Sequence, residues 1–432
     1  MKALSLAIVL LTVAAACGET DTPANGDGVE PTGAATAHAV GTKTDEELYR
    51  KRFAALRDRT GATGLASYDP LKAVAGAADS VPFVVDDGGS AFDDEALAEA
   101  ASYAESMNSS AFLVWHDGAL VAERYFGEAT KESPLVSKSL AKPLSVIAVG
   151  RAIVEGHIAS LDDPVAVFVE EWRGTPKAAM TIRHLLGMRS GLLPQGAAES
   201  VDDVLNRAYL HPRHDEVIVH EYPLTHQPGS RYEYSNANGE LVAVLIERAT
   251  NVQYEDWVDA EVLRTIGAPG GDVWMNRPGG TAHSGCCWLL PAKSWLRLGI
   301  LLLNDGKWGE RRLLPSGFVD DMRRTTKDNP HAGLGVYIAG AYVERRGPLH
   351  PSMEIGRTYH SEPYLADDLF LFDGNSNQVV YIVPSAGLVV ARLGGRPPAE
   401  TPWDNALLPN TLIRGLAPEL AETLRPQPNT KD

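Results

Sequence analysis

The hydrophobic and polar positions of this chain predict strands towards both ends and helices between them. Short apolar runs bounded by turn residues are typical of strands, and they occupy residues 111–115, 119–123, 333–338, 378–383 and 388–393. Helical segments are predicted at residues 44–57, 93–107, 139–155, 182–188, 201–210, 241–250, 255–265, 292–303 and 405–424. This order favours an α+β fold in which a helical lobe is inserted into one antiparallel sheet.

The first residues have the pattern of a targeting segment. Lys2 is followed by an apolar stretch at 3–13 and by three alanines at 14–16 that lead into Cys17. This pattern predicts a secretory signal, which is too short to remain as a spanning helix. Small residues directly before a cysteine resemble a bacterial lipobox, although the usual leucine is absent. Two outcomes stay open, namely acylation of Cys17 with membrane anchoring and plain secretion; residues 18–42 predict a flexible tether in either case.

Composition and charge indicate a large globular protein that does not bind nucleic acid. The chain has 432 residues, of which 44% are hydrophobic and 22% charged, enough for a large core and two lobes. Its formal net charge of -17 argues against a nucleic-acid partner, because phosphate binding requires basic patches.

The cysteines are too few for a disulfide framework or a cysteine-based metal site. Apart from Cys17, the chain has the adjacent pair Cys286 and Cys287. Export permits disulfides, but neighbouring cysteines close only a strained eight-membered ring. We therefore expect two small buried thiols.

One short motif carries candidate chemistry. Ser139 and Lys142 lie three residues apart, which places them on the same face of a helix. A desolvated lysine can act as a base, and a serine beside such a base is an activated nucleophile. Taken alone, Ser139 could equally be a helix N-cap with a solvated Lys142. The apolar run at 144–150 favours a buried helix, and Pro143 suits its first turn.

Further blocks resemble a known family. Together with Ser-x-x-Lys they are similar to the serine β-lactamase-related hydrolases, within the branch of class C enzymes, 6-aminohexanoate-dimer hydrolases and family VIII esterases. The blocks are ERYFG at 123–127, SLDDPV at 160–165, HLLGMRSGL at 184–192 and PGSRYEYSN at 228–236. The resemblance covers about residues 95–415. It implies a β-lactamase/transpeptidase-like three-layer sandwich with an all-helical lobe.

The resemblance also implies domain limits. The signal spans 1–17, the tether 18–42 and the serine hydrolase domain 43–432. Within that domain, the sheet lobe comprises about 43–138 and 327–432, and the helical lobe comprises about 139–326.

Site residues follow from the same resemblance. It implies Ser139 as the acylated nucleophile and Lys142 as its base partner. Tyr234 would relay protons to the leaving group, and the Asn236 amide would orient the substrate.

The third family motif, Lys-Thr-Gly, is best matched by Phe-Asp-Gly at 372–374, which lacks the lysine. That lysine helps β-lactamases hold a substrate carboxylate, so its absence points to an esterase or amidase. Gly374 and Asn375 would bind the substrate, and the backbone N–H groups of Ser139 and Asn375 would form the oxyanion hole. Arg189, Arg392 or Arg396 could replace the missing cation if one of them reached the site.

We therefore expect a serine hydrolase that acts on a small ester or amide without a cofactor or metal. Its location would be the bacterial cell envelope, with membrane attachment through an N-terminal lipid; the oligomeric state stays open. The alternatives are a β-lactamase, a peptidase acting on cell-wall D-amino-acid peptides, and a non-catalytic surface-binding lipoprotein. A Gly-x-Ser-x-Gly elbow is absent, which disfavours an α/β-hydrolase.

The remaining histidines suggest no metal centre. Four of them are clustered in sequence at His211, His214, His220 and His226. Metal ligation favours a tighter pattern such as His-Glu-x-x-His, so we interpret these residues as polar loop histidines. Walls of the substrate pocket are expected from the loops at 193–201 and 356–367.

Overall fold

The computed structural model describes residues 40–57, 68–78, 82–86, 91–196, 198–347, 349–351 and 356–416. The predicted signal, the lipidation site at Cys17 and most of the tether lie outside the described residues. The last tether residues, 40–42, are described, and the first of them is in contact with the helical lobe. Val40 is buried, and its N–H donates to Glu221 Oε1 at 3.1 Å.

Helices occupy most of the predicted segments. In chain order they are α1 (Lys43–Arg57), α2 (Asp94–Ser106), α3 (Ala141–Val154), α4 (Ile182–Leu186), α5 (Val204–Leu210), α6 (His214–His220), α7 (Asn236–Thr250), α8 (Tyr254–Val258), α9 (Ala292–Leu303), α10 (Phe318–Arg323) and α11 (Leu407–Arg414). Within the described ranges, no helix combines the length and the apolar sequence that crossing a bilayer requires.

The strands are more numerous than the apolar runs predicted. They are β1 (Leu71–Gly76), β2 (Val84–Val85), β3 (Ser109–His116), β4 (Ala119–Tyr125), β5 (Leu135–Val136), β6 (Pro269–Trp274), β7 (Trp288–Leu290), β8 (Lys307–Trp308), β9 (Arg311–Arg312), β10 (Tyr337–Ile338), β11 (Arg345–Arg346), β12 (Thr358–Tyr359), β13 (Phe370–Gly374), β14 (Gln378–Val383) and β15 (Leu388–Gly394).

The large sheet has the strand order β10-β13-β14-β15-β3-β4-β2 and is antiparallel except where the short β2 joins β4. Both predicted hairpins, β3–β4 and β14–β15, are present. Alternate residues of the central strands face two separate cores, so these strands are apolar on both faces. The second core contains residues of α2 and α11, and the first contains residues of α9, which gives the expected three layers.

Helix α9 differs from the predicted division into lobes. It packs on the large sheet although it lies within 139–326, the range assigned to the helical lobe. Gly299 permits this close approach, because a Cβ atom there would lie 2.6 Å from Val389 Cγ1 and 2.9 Å from Val380 Cγ1. The helix therefore supplies one outer layer of the sandwich.

A second, smaller sheet was not predicted. It has the order β1-β6-β7-β5 and joins strands that are far apart in the sequence. Its β5 strand leads directly to Ser139, and its β7 strand follows the segment 283–287. The small sheet therefore brings two distant stretches of chain to the head of α3.

The predicted strand at 333–338 is paired only over Tyr337–Ile338. Its first residues run close to α3 instead. Gly335 has a φ of 69°, and a Cβ atom there would lie 2.8 Å from Val146 Cγ2. Contact with the helix has taken the place of sheet pairing in this stretch.

Candidate active site

Ser139 lies on a sharp strand-to-helix turn. Strand β5 ends at Val136, a 3₁₀ turn covers Lys138–Leu140, and α3 begins at Ala141. Lys138 has a φ of 50°, a left-handed conformation that is uncommon for a residue with a Cβ atom. This turn reverses the chain and leaves the Ser139 side chain at the head of a buried helix.

Lys142 is buried beneath Ser139, with 6% of its surface exposed. Its Nζ atom lies 3.0 Å from Ser139 Oγ, 3.2 Å from Asn236 Oδ1 and 2.9 Å from the carbonyl oxygen of Gly285. Burying an amine is costly unless it is hydrogen-bonded. Three acceptors surround Nζ, which matches the number of N–H groups that a lysine ammonium can donate.

Tyr234 and Asn236 complete the cluster from the start of α7. Tyr234 Oη lies 3.0 Å from Ser139 Oγ, and the Tyr234 ring lies 5.1 Å from Lys142 Nζ. Asn236 Nδ2 donates to Gln195 Oε1 at 3.0 Å, which turns its Oδ1 atom towards Lys142. The structure thus brings these four predicted residues into direct contact.

The third motif lies at the end of β13. A Cβ atom on Gly374 would lie 2.9 Å from the carbonyl oxygen of Ser137 and 3.2 Å from the backbone nitrogen of Ser139. Only glycine permits this approach, which brings the strand end and the following Asn375 beside the nucleophile turn. Asn375 and Gly374 both line the cavity at Ser139.

That cavity has a volume of about 510 Å³. Every predicted catalytic or substrate-binding residue except Lys142 lines it, and Lys142 lines a smaller cavity that also touches Ser139. Other lining side chains include Tyr337, Arg345, Arg357, Asp373, Arg396 and Trp403.

The three arginines considered as replacements for the missing lysine have different surroundings. Arg392 is buried and donates to the carbonyl oxygens of Ser376 and Asn377, so it supports the turn after Asn375. Arg189 pairs with Asp328 at 3.1 Å and does not line the cavity. Arg396 does line it.

Among the described residues that line this cavity, Asp373 alone has an acidic side chain. Desolvation raises its pKa to about 7, and the positive charge of Arg346 acts in the opposite direction. The carboxyl group therefore exchanges its proton near neutral pH.

The interpretation of the histidines as polar loop residues is wrong for three of them. His211 and His214 are fully buried, and His214 and His220 are the first and last residues of α6. His214 Nε2 lies 3.6 Å from Glu240 Oε2, and His283 Nδ1 lies 3.3 Å from the same oxygen. Sequence analysis missed this group because its three members come from separate segments.

The ligand-type atoms of His214, Glu240 and His283 lie within 4.8 Å of one another, a separation that a metal site could have. However, the two imidazole rings are stacked, with centroids 4.2 Å apart and 9° between their planes. A ligated metal lies close to the plane of its imidazole, and two parallel stacked rings share no such point. This arrangement does not fit a shared ion.

The carboxyl group and one ring of this group have shifted pKa values. Burial opposes ionisation of Glu240, but His283 and His214 outweigh it and hold the Glu240 pKa at about 2. Burial lowers the pKa of His283 to about 4. Glu240 Oε1 also lies 3.0 Å from the position of a Cβ atom on Gly285, the residue whose carbonyl accepts from Lys142.

The two late cysteines are joined by a disulfide, so the expectation of free thiols is wrong. Cys287 has a φ of 120°, which lets adjacent side chains approach each other. Tyr209 Oη lies 3.4 Å from Cys286 Sγ. The pair directly follows Gly285 and belongs to the segment that faces Lys142.

The chain is similar in sequence and fold to known proteins. Residues 95–283 match the family model described as Beta-lactamase. The chain has no significant match among curated proteins. A Bacillus anthracis protein described as a 6-aminohexanoate-dimer hydrolase is similar over 83% of this chain and 93% of its own, with 20% identity and a TM-score of 0.60.

Two further solved structures have the same fold. One is described as a beta-lactamase from Bacteroides dorei, with 18% identity, a TM-score of 0.57, and coverage of 75% of this chain and 99% of its own. The other is EstCE1, described as a hydrolase with promiscuous acyltransferase activity, with 15% identity, a TM-score of 0.55 and the same coverage. The shared architecture is the β-lactamase/transpeptidase-like fold.

Proposed function

Residues 95–283 belong to the beta-lactamase family, and on that premise we propose that this serine hydrolase cleaves small esters or amides through an acyl-Ser139 intermediate. One observation carries the proposal. Ser139 Oγ lies 3.0 Å from both Lys142 Nζ and Tyr234 Oη, at the wall of a cavity large enough for a small substrate.

In acylation, Lys142 acts as the base: it accepts the Ser139 proton while Oγ attacks the substrate carbonyl, and its amine donates to Asn236 Oδ1 and to the Gly285 carbonyl oxygen. Tyr234 protonates the departing alkoxide or amine and is reprotonated from Lys142. The carbonyl–Oγ bond forms, the bond to the leaving group breaks, and the charge of the enzyme is unchanged.

Charge on the tetrahedral intermediate requires hydrogen-bond donors. We assign this role to the backbone N–H groups of Ser139 and Asn375. The close approach of Gly374 to the Ser139 backbone supports the assignment, because Asn375 follows Gly374 directly and lines the same cavity as Ser139. Fixed donors of this kind are usually the largest single contribution to acyl transfer.

Deacylation uses the same groups in reverse order. Water enters from the cavity, gives a proton to Lys142, and attacks the acyl carbon. Collapse of the intermediate returns the proton to Ser139 Oγ and releases the acid. No step requires a cofactor.

Hydrolysis of a β-lactam or of a D-amino-acid peptide is the second candidate function. The observation in its favour is Arg396, which lines the cavity and offers a cation although Phe372 occupies the lysine position of the third motif. A purely non-catalytic binding role is disfavoured, since it requires no contact between Ser139, Lys142 and Tyr234.

The test is covalent labelling of the full-length protein. A fluorophosphonate should add one adduct by intact mass, and peptide mapping should locate it on Ser139. The Ser139→Ala variant should stay unlabelled, and the exposed-site control Ser106→Ala should label normally. An adduct on another serine, or none, would contradict the mechanism. Parallel assays with p-nitrophenyl esters, nitrocefin and linear amides then rank the two candidate functions.

A further inference from the structure

Residues 285–287 form a short link behind the nucleophile turn, between two anchored stretches of chain. Before the link, Ser284 Oγ donates to the carbonyl oxygen of Gly239 at 2.7 Å. After it, the Trp288 N–H donates to Ser137 Oγ at 3.0 Å, and the Trp288 carbonyl oxygen accepts from the Ser137 N–H at 2.8 Å. The conformation of the link therefore decides where its own carbonyl groups point.

The backbone of the link is strained at its last residue. Cys287 has a φ of 120°, which a residue with a Cβ atom rarely adopts and which persists only where the surrounding structure imposes it. The Cys287 carbonyl oxygen accepts from the Trp274 N–H at 3.1 Å, which fixes only the side towards β7. Within the described ranges, the N–H groups of Cys286 and Cys287 donate no hydrogen bond. The covalent bond between the two sulfur atoms supplies the restraint on the other side.

The first residue of the link contacts the candidate active site. The Gly285 carbonyl oxygen lies 2.9 Å from Lys142 Nζ, the shortest of the three contacts of that amine. Among the described residues that line the two cavities at Ser139, none belongs to the link. A movement of the link therefore reaches Ser139 through Lys142 and leaves the walls of the substrate cavity in place.

The two cysteines of the link are covered unequally. Cys287 is fully buried, whereas 7% of the Cys286 surface is exposed. Tyr49 and Phe53 of α1 belong to the same apolar cluster, and Tyr209 Oη donates to Cys286 Sγ at 3.4 Å. Thiol–disulfide exchange requires access to a sulfur atom, so Cys286 is the residue that a small dithiol attacks.

We propose that the Cys286–Cys287 disulfide is a redox switch, which holds the Gly285 carbonyl against Lys142 when oxidised and lowers turnover at Ser139 when a dithiol reduces it. The inference rests on the proposed function and adds its regulation. Once the sulfur–sulfur bond is broken, the restraint on the φ of Cys287 is lost and the link relaxes. The amine of Lys142 then loses one of its three acceptors.

The reduction is a two-electron exchange between the disulfide and the dithiol. A thiolate of the dithiol attacks Cys286 Sγ, and the electron pair of the broken bond goes to the Cys287 sulfur, which takes up a proton. The second thiol of the reductant then displaces Cys286 as a thiol. The reductant leaves as a cyclic disulfide, and the protein has gained two electrons and two protons.

The plain alternative is a purely structural disulfide, whose loss lowers the thermal midpoint without acting on Lys142. The experiment measures hydrolysis of p-nitrophenyl acetate by the full-length protein when oxidised, after reduction with dithiothreitol, and after re-oxidation with diamide. Reduction should lower kcat about tenfold, the order of one hydrogen bond to a charged group, with KM unchanged, and re-oxidation should restore kcat. Alkylation under denaturing conditions and peptide mapping verify the state of both cysteines.

Two variants serve as controls. Cys286→Ser/Cys287→Ser should have the kcat of the reduced protein and should not respond to dithiothreitol. Cys17→Ser, which lacks the remaining cysteine of the chain, should respond as the native protein does. An unchanged kcat with both thiols of the link free, a loss of kcat that the double variant also shows with dithiothreitol, or a disulfide that resists reduction in the folded protein would overturn the proposal.

Hydrogen–deuterium exchange separates this inference from the proposed function, because it requires no turnover. Reduction should increase exchange in peptides that cover the link and the head of α3, while exchange in the β14–β15 hairpin stays native. If exchange changes in this way but neither redox state hydrolyses esters or amides, only the proposed function is rejected. Unchanged exchange in a protein whose two thiols are free rejects the switch, whatever its turnover.

Discussion

Two buried polar clusters lie on opposite sides of Gly285. One contains Ser139, Lys142, Tyr234 and Asn236, and its polar atoms contact each other over 3.0 to 3.2 Å at the wall of a 510 Å³ cavity. The other contains His214, Glu240 and His283, each at most 1% exposed. Its shortest contact, between His283 Nδ1 and Glu240 Oε2, is 3.3 Å. Both hold ionisable groups near the start of α7, but only the first is open to a substrate.

The difference between the two clusters is access to a cavity. His283 is stacked between Trp274, at 3.6 Å, and His214, at 4.2 Å, so its ring has no room to turn. Its chain neighbour Ser284 donates to the carbonyl oxygen of Gly239 at 2.7 Å. These contacts hold the segment in which the Gly285 carbonyl faces Lys142, and so the closed cluster positions the open one.

The largest effect is expected from Ser139→Ala. Loss of the nucleophile should reduce kcat by on the order of 10⁶-fold, as in other serine hydrolases, because no acyl-enzyme can form. Circular dichroism and the thermal midpoint should remain native, since the side chain contributes no core packing. The Ser106→Ala control should leave kcat unchanged. Substantial turnover by folded Ser139→Ala would assign the nucleophile to another residue.

Lys142→Ala should reduce kcat by about 10²- to 10⁴-fold, the usual contribution of a general base. The neighbouring Lys138 is the matched control, because it lies on the same turn but contacts Tyr68 outside the Ser139 cavity. Lys138→Met should therefore cost much less activity than Lys142→Ala. If the two losses were equal, Lys142 would act only through the geometry of the turn.

Glu240→Gln should act mainly on stability. The substitution removes the buried carboxylate that faces His214 and His283, and leaving buried polar groups without their partner costs about 1–3 kcal/mol. Urea unfolding measures this loss in the free energy of unfolding. Exposed Glu99→Gln on α2 is the control and should change it little. An unchanged midpoint for Glu240→Gln would show that the closed cluster is not a support.

The pKa of His283 predicts a pH dependence of stability. Its folded pKa of about 4 lies below the ordinary value of 6.5, so between these values the unfolded state binds more protons. Stability should therefore fall from about pH 6.5 towards pH 4, by up to about 1.4 kcal/mol per pH unit. The pKa values of Glu247 and Asp373, both raised to about 7 by burial, act in the opposite direction.

Because of this opposition, the informative quantity is the difference between the native protein and His283→Gln. Urea unfolding between pH 7 and pH 4.5 gives the free energy of unfolding at each pH. In the variant this free energy should lack the decrease towards low pH that His283 contributes. Parallel slopes for the two proteins would show that His283 titrates with its ordinary pKa.

The local pattern of apolar, polar and turn residues predicted those helices and hairpins that are stabilised by residues close to each other in the sequence. The hairpins β3–β4 and β14–β15 have their turn residues between two apolar runs, and the helix predicted at 292–303 has those bounds in the structure. Resemblance to known hydrolases predicted the fold family and indicated that Ser139, Lys142, Tyr234 and Asn236 belong together. The structure brings these residues into contact, while their catalytic roles stay predictions.

Tertiary structure alone decided what lies around that motif. The Gly285 carbonyl, the His214–Glu240–His283 group and the gathering of Arg345 with Arg396 all join residues from separate segments. No periodicity or spacing marks such residues, because each occupies an ordinary position in its own segment. The sequence by itself determined the local elements and the Ser-x-x-Lys spacing that places Ser139 and Lys142 on one helix face, since those depend on nearby residues. Long-range packing determined the third acceptor of the lysine, the closed cluster behind it and the charge of the cavity in front of it.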